Sequence, residues 1–134
     1  MLPHQLSQPL SHRGIAMRKI LVSTLIIFTT ATAVTKKVPS EYSTIQAGLN
    51  AASSGDTVLV AAGTYTENIM WPETNGIKLI SAGDSSNTII DGGGTSSVIY
   101  MNPSSATIDT TTLIQGFKIT NGGNVNNGAG IFCS

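Results

Sequence analysis

Short apolar runs alternate with turn-forming residues along most of this chain. The runs lie at 58–61, 69–71, 77–80, 88–90, 98–101, 113–114, 117–119 and 131–132. Each run stops at or near Gly, Pro, Asn, Asp or Ser, as strands joined by tight turns do. The pattern therefore predicts an all-β chain of short strands.

The spacing of the runs indicates how these strands are arranged. Val60, Ile80 and Tyr100 are twenty residues apart. A fixed period near this length, with strands and turns inside it, is typical of a solenoid, because one coil buries its apolar side chains only against the next coil. We expect a parallel β-helix of three to four coils. One inward column of this helix would contain Val58, Ile77, Val98 and Phe117.

An antiparallel sandwich of seven or eight short strands is the rival architecture. It requires hairpin turns of fixed type between the runs, and it leaves the nearly constant spacing unexplained. The solenoid is the better prediction.

A short helix is predicted before the strands. Residues 34–42 form a polar lead-in, and Ser43 or Thr44 is suited to cap a helix from about Ile45 to Ala52. Gly55 is suited to a left-handed C-cap. We expect this helix to cover the open end of the first coil and so to remove an exposed strand edge.

The first third of the chain has the features of a targeting segment. Residues 17–19 are basic at two positions, Ile20 to Phe28 is almost wholly apolar, and Ala31 to Ala33 has the small-x-small form of a cleavage site. We predict a signal peptide at 17–33, with an uncleaved anchor or a buried helix as alternatives. Residues 1–16 then form an overlong start, and the solenoid occupies 43–134. The expected location is outside the cell or on a bacterial cell surface or envelope.

Charge and cysteine content narrow the class of partner. Seven basic residues balance seven acidic ones, and a nucleic-acid partner would need a clustered basic surface. We therefore expect no nucleic-acid partner, and membrane contact only through the signal peptide during export. Cys133 is the single cysteine, so no intrachain disulfide forms, which fits a bacterial envelope better than a small disulfide scaffold.

Several segments carry a resemblance to a known family. The segment YSTIQAGLNAA at 42–52, then GDTVLV at 55–60 and GTYTENI at 63–69, resembles the opening of pectin-lyase-like right-handed parallel β-helix proteins, and pectin methylesterases open in a similar way. The segments at 88–94 and 116–122 resemble the repeats that follow. The likeness covers nearly all of 38–134 and implies a right-handed coil. It says little about activity, since the superfamily includes esterases, lyases, hydrolases and non-catalytic surface proteins.

Catalytic candidates are weak. In the esterase members of that superfamily the catalytic residues lie beyond the coils matched here, so none is carried over. Asp91 and Asp109 are candidates for a glycosidase pair if adjacent coils bring them about 5–9 Å apart; each also fits a simple turn role. Asp56 and Glu67 are expected to be turn or surface residues. Both histidines, His4 and His12, precede the predicted cleavage point, and we expect no metal site and no cofactor.

Three residues are candidates for binding sugar. Tyr65 and Trp71 either form a stacking platform or cover the flank of the core. Asn124 lies in the Asn- and Gly-rich run 121–127, which is either a sugar-binding loop, a plain turn or an inward asparagine ladder.

These observations favour a cell-surface or secreted β-helix module with a structural or polysaccharide-binding role. The alternative is the N-terminal fragment of a carbohydrate-active enzyme, of the pectin esterase or polysaccharide lyase type, whose catalytic coils are missing. A gene remnant without function is a third hypothesis. The last run ends at 131–134 without a capping element, so we expect a C-terminally truncated solenoid. Such an end is predicted to cause self-association through the uncapped coil.

Overall fold

The computed structural model describes residues 31–102, 108–123 and 128–134. Residues 1–16, Asn124 and nearly all of the predicted signal peptide lie outside this part. The described residues contain one short helix, α1 (Ile45–Asn50), and ten strands. The strands are β1 (Thr35–Val38), β2 (Thr57–Val60), β3 (Gly63–Thr66), β4 (Ile69–Met70), β5 (Lys78–Ser81), β6 (Thr88–Asp91), β7 (Ile99–Met101), β8 (Leu113–Gln115), β9 (Lys118–Thr120) and β10 (Ile131–Cys133).

The strands form three sheets, and every pairing among the described residues is parallel. The first sheet has the order β1-β2-β5-β8, the second β3-β6-β9 and the third β4-β7-β10. From β2 onwards the chain passes through the first, second and third sheets in turn, and it does so three times. The prediction of an all-β chain with parallel strands is confirmed, and the antiparallel sandwich is excluded.

The strand register differs from the predicted constant period. In the first sheet Val58 pairs with Leu79, 21 residues later, and Leu79 pairs with Ile114, 35 residues later. In the third sheet Ile69 pairs with Ile99, 30 residues later. The predicted inward column through Ile77, Val98 and Phe117 is therefore wrong, because the connections between strands differ in length from one pass to the next.

Three columns of apolar residues face the interior instead. Successive side chains of a strand point to opposite faces, so residues that pair in register share a face. The columns are Val58–Leu79–Ile114 in the first sheet, Tyr65–Ile90–Ile119 in the second and Ile69–Ile99–Ile131 in the third. In each column the middle residue is fully buried.

Two strands lack the apolar run that the sequence analysis used as its signal. The polar lead-in forms β1, which pairs with β2 along its whole length. The stretch beginning at Gly63 forms β3, which pairs with β6. Both strands are stabilised by backbone hydrogen bonds to a neighbouring strand. Backbone bonds do not depend on an apolar pattern of side chains, so these two strands could not be predicted from that pattern.

Helix α1 begins as predicted. Thr44 is the N-cap, and its side-chain oxygen accepts a hydrogen bond from the backbone N–H of Ala47 at 3.0 Å. The C-cap is Ala51 rather than Gly55, whose φ of +89° serves the following turn.

The helix packs against β1, β2 and β4 through the fully buried Ile45 and Leu49. A Cβ at Gly48 would lie 3.0 Å from a methyl group of Val58 and 3.1 Å from one of Val38. This glycine therefore permits the close approach of the helix to the first sheet. Within the described residues no helix is long and apolar enough to cross a membrane.

Candidate functional site

The outer face of the third sheet carries a row of large side chains. Met70, Tyr100 and Phe132 pair in register on β4, β7 and β10, one position after the inward isoleucines. We call these three residues the outer column. The rings of Tyr100 and Phe132 have centroids 5.4 Å apart and are tilted by 33°. Met70 is 65% exposed, so the column presents an apolar surface to solvent.

A cleft of about 440 Å³ opens beside the outer column. Its walls come from α1, from the end of β4 with the residues after it, and from β7. The lining residues are Gln46, Asn50, Met70, Trp71, Pro72, Glu73, Tyr100 and Asn102. Aromatic rings, side-chain amides and one carboxylate thus lie together on a single surface.

The side chain of Gln46 fixes the helix wall of the cleft. Its Oε1 accepts a hydrogen bond from the backbone N–H of Met70 at 2.7 Å, and its Nε2 donates to the carbonyl of Met70 at 2.9 Å. The same Nε2 also donates to Oδ1 of Asn50 at 2.9 Å. Since β4 is the edge strand of the third sheet, this amide bonds to it as a neighbouring strand would. This contact could not be predicted from the sequence, because Gln46 and Met70 are 24 residues apart.

Trp71 is one of the residues that line the cleft, and it also belongs to the core. Its backbone N–H donates to the carbonyl of Tyr100 at 2.8 Å, and its side chain is only 5% exposed. The indole Nε1 is buried and has no hydrogen-bond partner among the described residues. An unpaired buried donor of this kind costs about 1–3 kcal/mol. Burial fits the predicted role of covering the core flank and leaves little ring surface for stacking.

Tyr65 lies apart from this cleft. It is on β3 in the second sheet, where it occupies the inward column with Ile90. Its hydroxyl donates to the carbonyl of Ala61 at 2.9 Å. Burial, followed by the negative charge of Glu67, raises the pKa of Tyr65. Tyr65 and Trp71 therefore belong to different sheets and do not form one platform.

The two candidate catalytic carboxylates serve separate turns. Asp91 accepts hydrogen bonds from the backbone N–H of Gly93 at 2.8 Å and from the side-chain amide of Asn121 at 2.9 Å. Asp109 accepts from the backbone N–H of Thr111 at 2.8 Å and from its hydroxyl. These bonds, the hydroxyl first, lower the pKa of Asp109. Both arrangements match Asx turns, and a catalytic pairing of Asp91 with Asp109 has no support in these contacts.

Asp56 connects the N-terminal strand to the rest of the fold. Its carboxylate accepts from the backbone N–H groups of Val34 at 2.8 Å and Ser53 at 2.9 Å. Lys36 lies 3.8 Å away. The backbone bonds from Ser53 and Val34 are the main cause of its lowered pKa. This is the turn role that the sequence predicts, extended to hold β1.

Glu67 has a structural role that the sequence analysis missed. Its two carboxylate oxygens accept hydrogen bonds from the backbone N–H groups of Ile45 and Gln46, each at 3.0 Å. These are the first residues of α1, where orphan N–H groups and the helix dipole favour an anion. The carboxylate thus anchors the start of the helix to the connection between β3 and β4.

Glu73 differs from the other carboxylates of the chain. Six of the seven accept hydrogen bonds from the protein itself: Glu41, Asp56, Glu67, Asp84, Asp91 and Asp109. Glu73 accepts none from the described residues, and it lines the cleft. Its carboxylate is therefore available to a ligand.

In the described ranges there is no group of three or more His, Cys, Asp or Glu side chains that could hold a metal ion. Cys133 is exposed, with its sulfur 3.7 Å from that of Met101.

Comparison with known proteins gives no relative from which a function can be transferred. No protein-family model matches the chain. No curated protein and no solved structure matches it either.

Proposed function

We propose that the chain is an exported, right-handed parallel β-helix module that binds polysaccharide and does not cleave it. The cyclic passage of the chain through three parallel sheets supports the solenoid. Parallel crossovers are right-handed in nearly all known proteins, and the resemblance of 38–134 to pectin-lyase-like proteins points to the same hand. The predicted signal peptide at 17–33 supports a location outside the cell or on a bacterial envelope.

The outer column is the observation that carries the binding role. Met70, Tyr100 and Phe132 repeat a large side chain on three successive passes of the chain. A linear polymer offers repeated units, and a surface that repeats at the strand spacing of about 4.8 Å contacts several of them at once. Aromatic side chains with nearby amides are typical of surfaces that bind amphipathic ligands.

The carboxylates favour binding over catalysis. Hydrolysis of a glycosidic bond generally needs two carboxyl groups on either side of the bond. Glu73 is the single acidic residue among those described as lining the cleft, and Asp91 and Asp109 are each bonded to a turn. A binding module therefore accounts for more of the described features than an enzyme does.

Affinity electrophoresis of the purified chain in gels containing soluble polysaccharides tests this proposal. We expect retardation in at least one polysaccharide gel, with no release of new reducing ends or unsaturated products from that polysaccharide. The substitution Met70→Ala should reduce retardation, since it removes the most exposed member of the outer column. Thr64→Ala, on the exposed face of the second sheet, is the matched control and should have no effect. Migration unaffected by every polysaccharide would contradict the proposal, as would cleavage of any of them.

A further inference from the structure

Among the described residues, the lining of the cleft beside the outer column contains no positive charge. Glu73 is the only ionisable group of that described lining besides the Tyr100 phenol. The chain after the predicted cleavage point contains four lysines and no arginine. Lys36 pairs with Asp56, and Lys36 and Lys37 both lie on β1 of the first sheet. Lys78 begins β5 and Lys118 begins β9, in the first and second sheets. No lysine is thus available on the third sheet to pair with an acidic sugar.

The cleft offers a hydrogen-bond acceptor without a partner. The Glu73 carboxylate accepts no bond from the described residues. A sugar hydroxyl can donate to such a carboxylate. The Trp71 indole N–H is buried and the Gln46 amide is bonded to Met70 and Asn50, so Glu73 is the group of the cleft that carries this part of the argument.

From these two observations we infer that the cleft binds a neutral, hydroxyl-rich glycan and disfavours polyuronates. Glu73 accepts hydrogen bonds from sugar hydroxyls, and the apolar outer column contacts the faces of the sugar rings. A uronate carboxylate would be placed near Glu73 with no cation to offset the repulsion. This inference rests on the proposed function, and it names the ligand class and the site.

Trp71 is the only tryptophan of the chain, so its fluorescence reports directly on the cleft. The experiment titrates the purified chain with a soluble neutral glycan, such as galactomannan or mixed-linkage glucan, and separately with polygalacturonate. Isothermal calorimetry of the same titrations measures binding anywhere on the chain. We expect saturable binding of a neutral glycan in calorimetry, with a matching change in Trp71 fluorescence. Polygalacturonate should bind at least about tenfold more weakly.

Substitutions at Glu73 test the role of its charge. Glu73→Gln should weaken neutral glycan binding by about fivefold, the effect of losing a charge-assisted hydrogen bond. Glu73→Lys should weaken it as well and should strengthen polygalacturonate binding by about tenfold, because a cation then lies in the cleft. Glu41→Lys makes the same change in net charge at an exposed site outside the cleft. It should leave both affinities unchanged.

The outcomes separate this inference from the proposed function. Neutral glycan binding without a Trp71 signal, or unaltered in both Glu73 variants, would place the ligand elsewhere and overturn the inference while leaving the proposed function intact. A preference of the unmodified chain for polygalacturonate, or for a cationic glycan such as chitosan, would do the same. Failure of every polysaccharide to bind would overturn both.

Discussion

The two ends of the described fold differ in how they cover the interior. At the N-terminal end, β1 extends the first sheet and α1 packs on the first pass of strands. At the other end, β8, β9 and β10 are each the last described strand of a sheet. The effect on burial is clear in the third sheet, where Ile99 is fully buried and Ile131 is 43% exposed. These two residues are identical in type and directly paired.

This difference shows that burial in a stacked fold depends on neighbours at both sides of a residue. Ile114 and Ile119, the last described members of the other two columns, are likewise only partly buried, whereas Leu79 and Ile90 are fully buried. Local sequence does not separate the two groups. What separates them is whether a further described strand pairs on each side, because one pass of strands buries its side chains only against the next.

The covered end is held by polar side chains as well as by apolar packing. Asp56 binds the backbone ahead of β1, Glu67 binds the start of α1, and Gln46 binds the edge of β4. Each contact joins residues more than twenty positions apart. Around the described parts of β8, β9 and β10 the long-range side-chain bonds include those from the Gly76 N–H to Thr112, from Asn121 to Asp91 and from Ser97 to the Gly128 carbonyl. Among these bonds, only the one to Asp91 involves a charged group.

The largest expected effect on stability is the difference between alanine substitutions at Ile99 and at Ile131. Ile99→Ala should lower the free energy of unfolding by about 3–4 kcal/mol, since it removes a fully buried side chain and leaves a cavity. Ile131→Ala should cost about 1 kcal/mol or less, because its site is already partly exposed and open to solvent. Urea denaturation of each variant, followed by circular dichroism, measures the difference.

If Ile99→Ala prevents folding, the milder pair Ile99→Val and Ile131→Val gives the same comparison. We expect about 1 kcal/mol for the first and a value near zero for the second. Equal costs at the two positions would show that Ile131 is covered in solution and would remove the contrast between the ends.

The next largest effect concerns how the free energy of unfolding changes as the pH falls. Asp56→Asn should lower the free energy of unfolding at neutral pH by about 2 kcal/mol, because bonds to a charged acceptor are lost. The backbone N–H groups of Ser53 and Val34 hold the folded-state pKa of Asp56 below the ordinary value of 3.8. Its contribution is therefore fully present above that value and is lost as the pH falls through the folded-state pKa.

Thermal melts between about pH 2 and pH 7 test this pH dependence. The difference between the unmodified chain and Asp56→Asn should be constant near neutrality and should shrink at acid pH. Asp84→Asn is the comparison variant. The pKa of Asp84 is also lowered, but by hydrogen bonds within one exposed turn, so we expect a similar loss at acid pH of smaller size than at Asp56. A difference at Asp56 that persisted unchanged to the lowest pH would show that its charge does not hold β1.

A smaller effect is expected from Glu67. Glu67→Ala removes the acceptor from two N–H groups at the start of α1 and should cost about 1–2 kcal/mol. Glu41→Ala, which loses one exposed bond to the backbone of Lys37, should cost less than about 0.5 kcal/mol. Hydrogen exchange of α1 should increase in the first variant and stay unchanged in the second. Unaltered protection of α1 in Glu67→Ala would mean that apolar packing alone holds the helix.

The smallest effect on stability is expected at the end of the fold where β8, β9 and β10 are the last described strands. A substitution there should have a clear effect on association. We propose that copies of the chain associate through the exposed edge that includes Ile131, because strand edges and apolar side chains are uncovered there. Ile131→Lys should lower the unfolding free energy by about 1 kcal/mol or less, because the lysine amine can extend into solvent from this partly exposed site, and it should shift the chain towards a monomer. Sedimentation velocity measures the shift, with Val34→Lys, at an exposed residue of the covered end, as the control. A monomeric unmodified chain would contradict the proposal.

Much of the local structure could be predicted from the sequence. Turn residues set where most strands stop, Thr44 is recognisable as an N-cap, and Asp56 is recognisable as a turn acceptor. Glu67, Gln46 and β1 could not be assigned in this way, since their partners lie elsewhere in the chain. The predicted sugar-binding pair was also separated, with Tyr65 in the second sheet and Trp71 beside the third.

The sequence by itself determined the strand class and the boundaries of most strands, because alternation and turn chemistry act over a few residues. Only the tertiary structure decided the register, since backbone hydrogen bonds join residues 21 to 35 positions apart and the lengths of the intervening connections vary. It alone also placed Gln46, Glu73 and Tyr100 around one cleft, because three different parts of the chain meet there only after the strands have stacked.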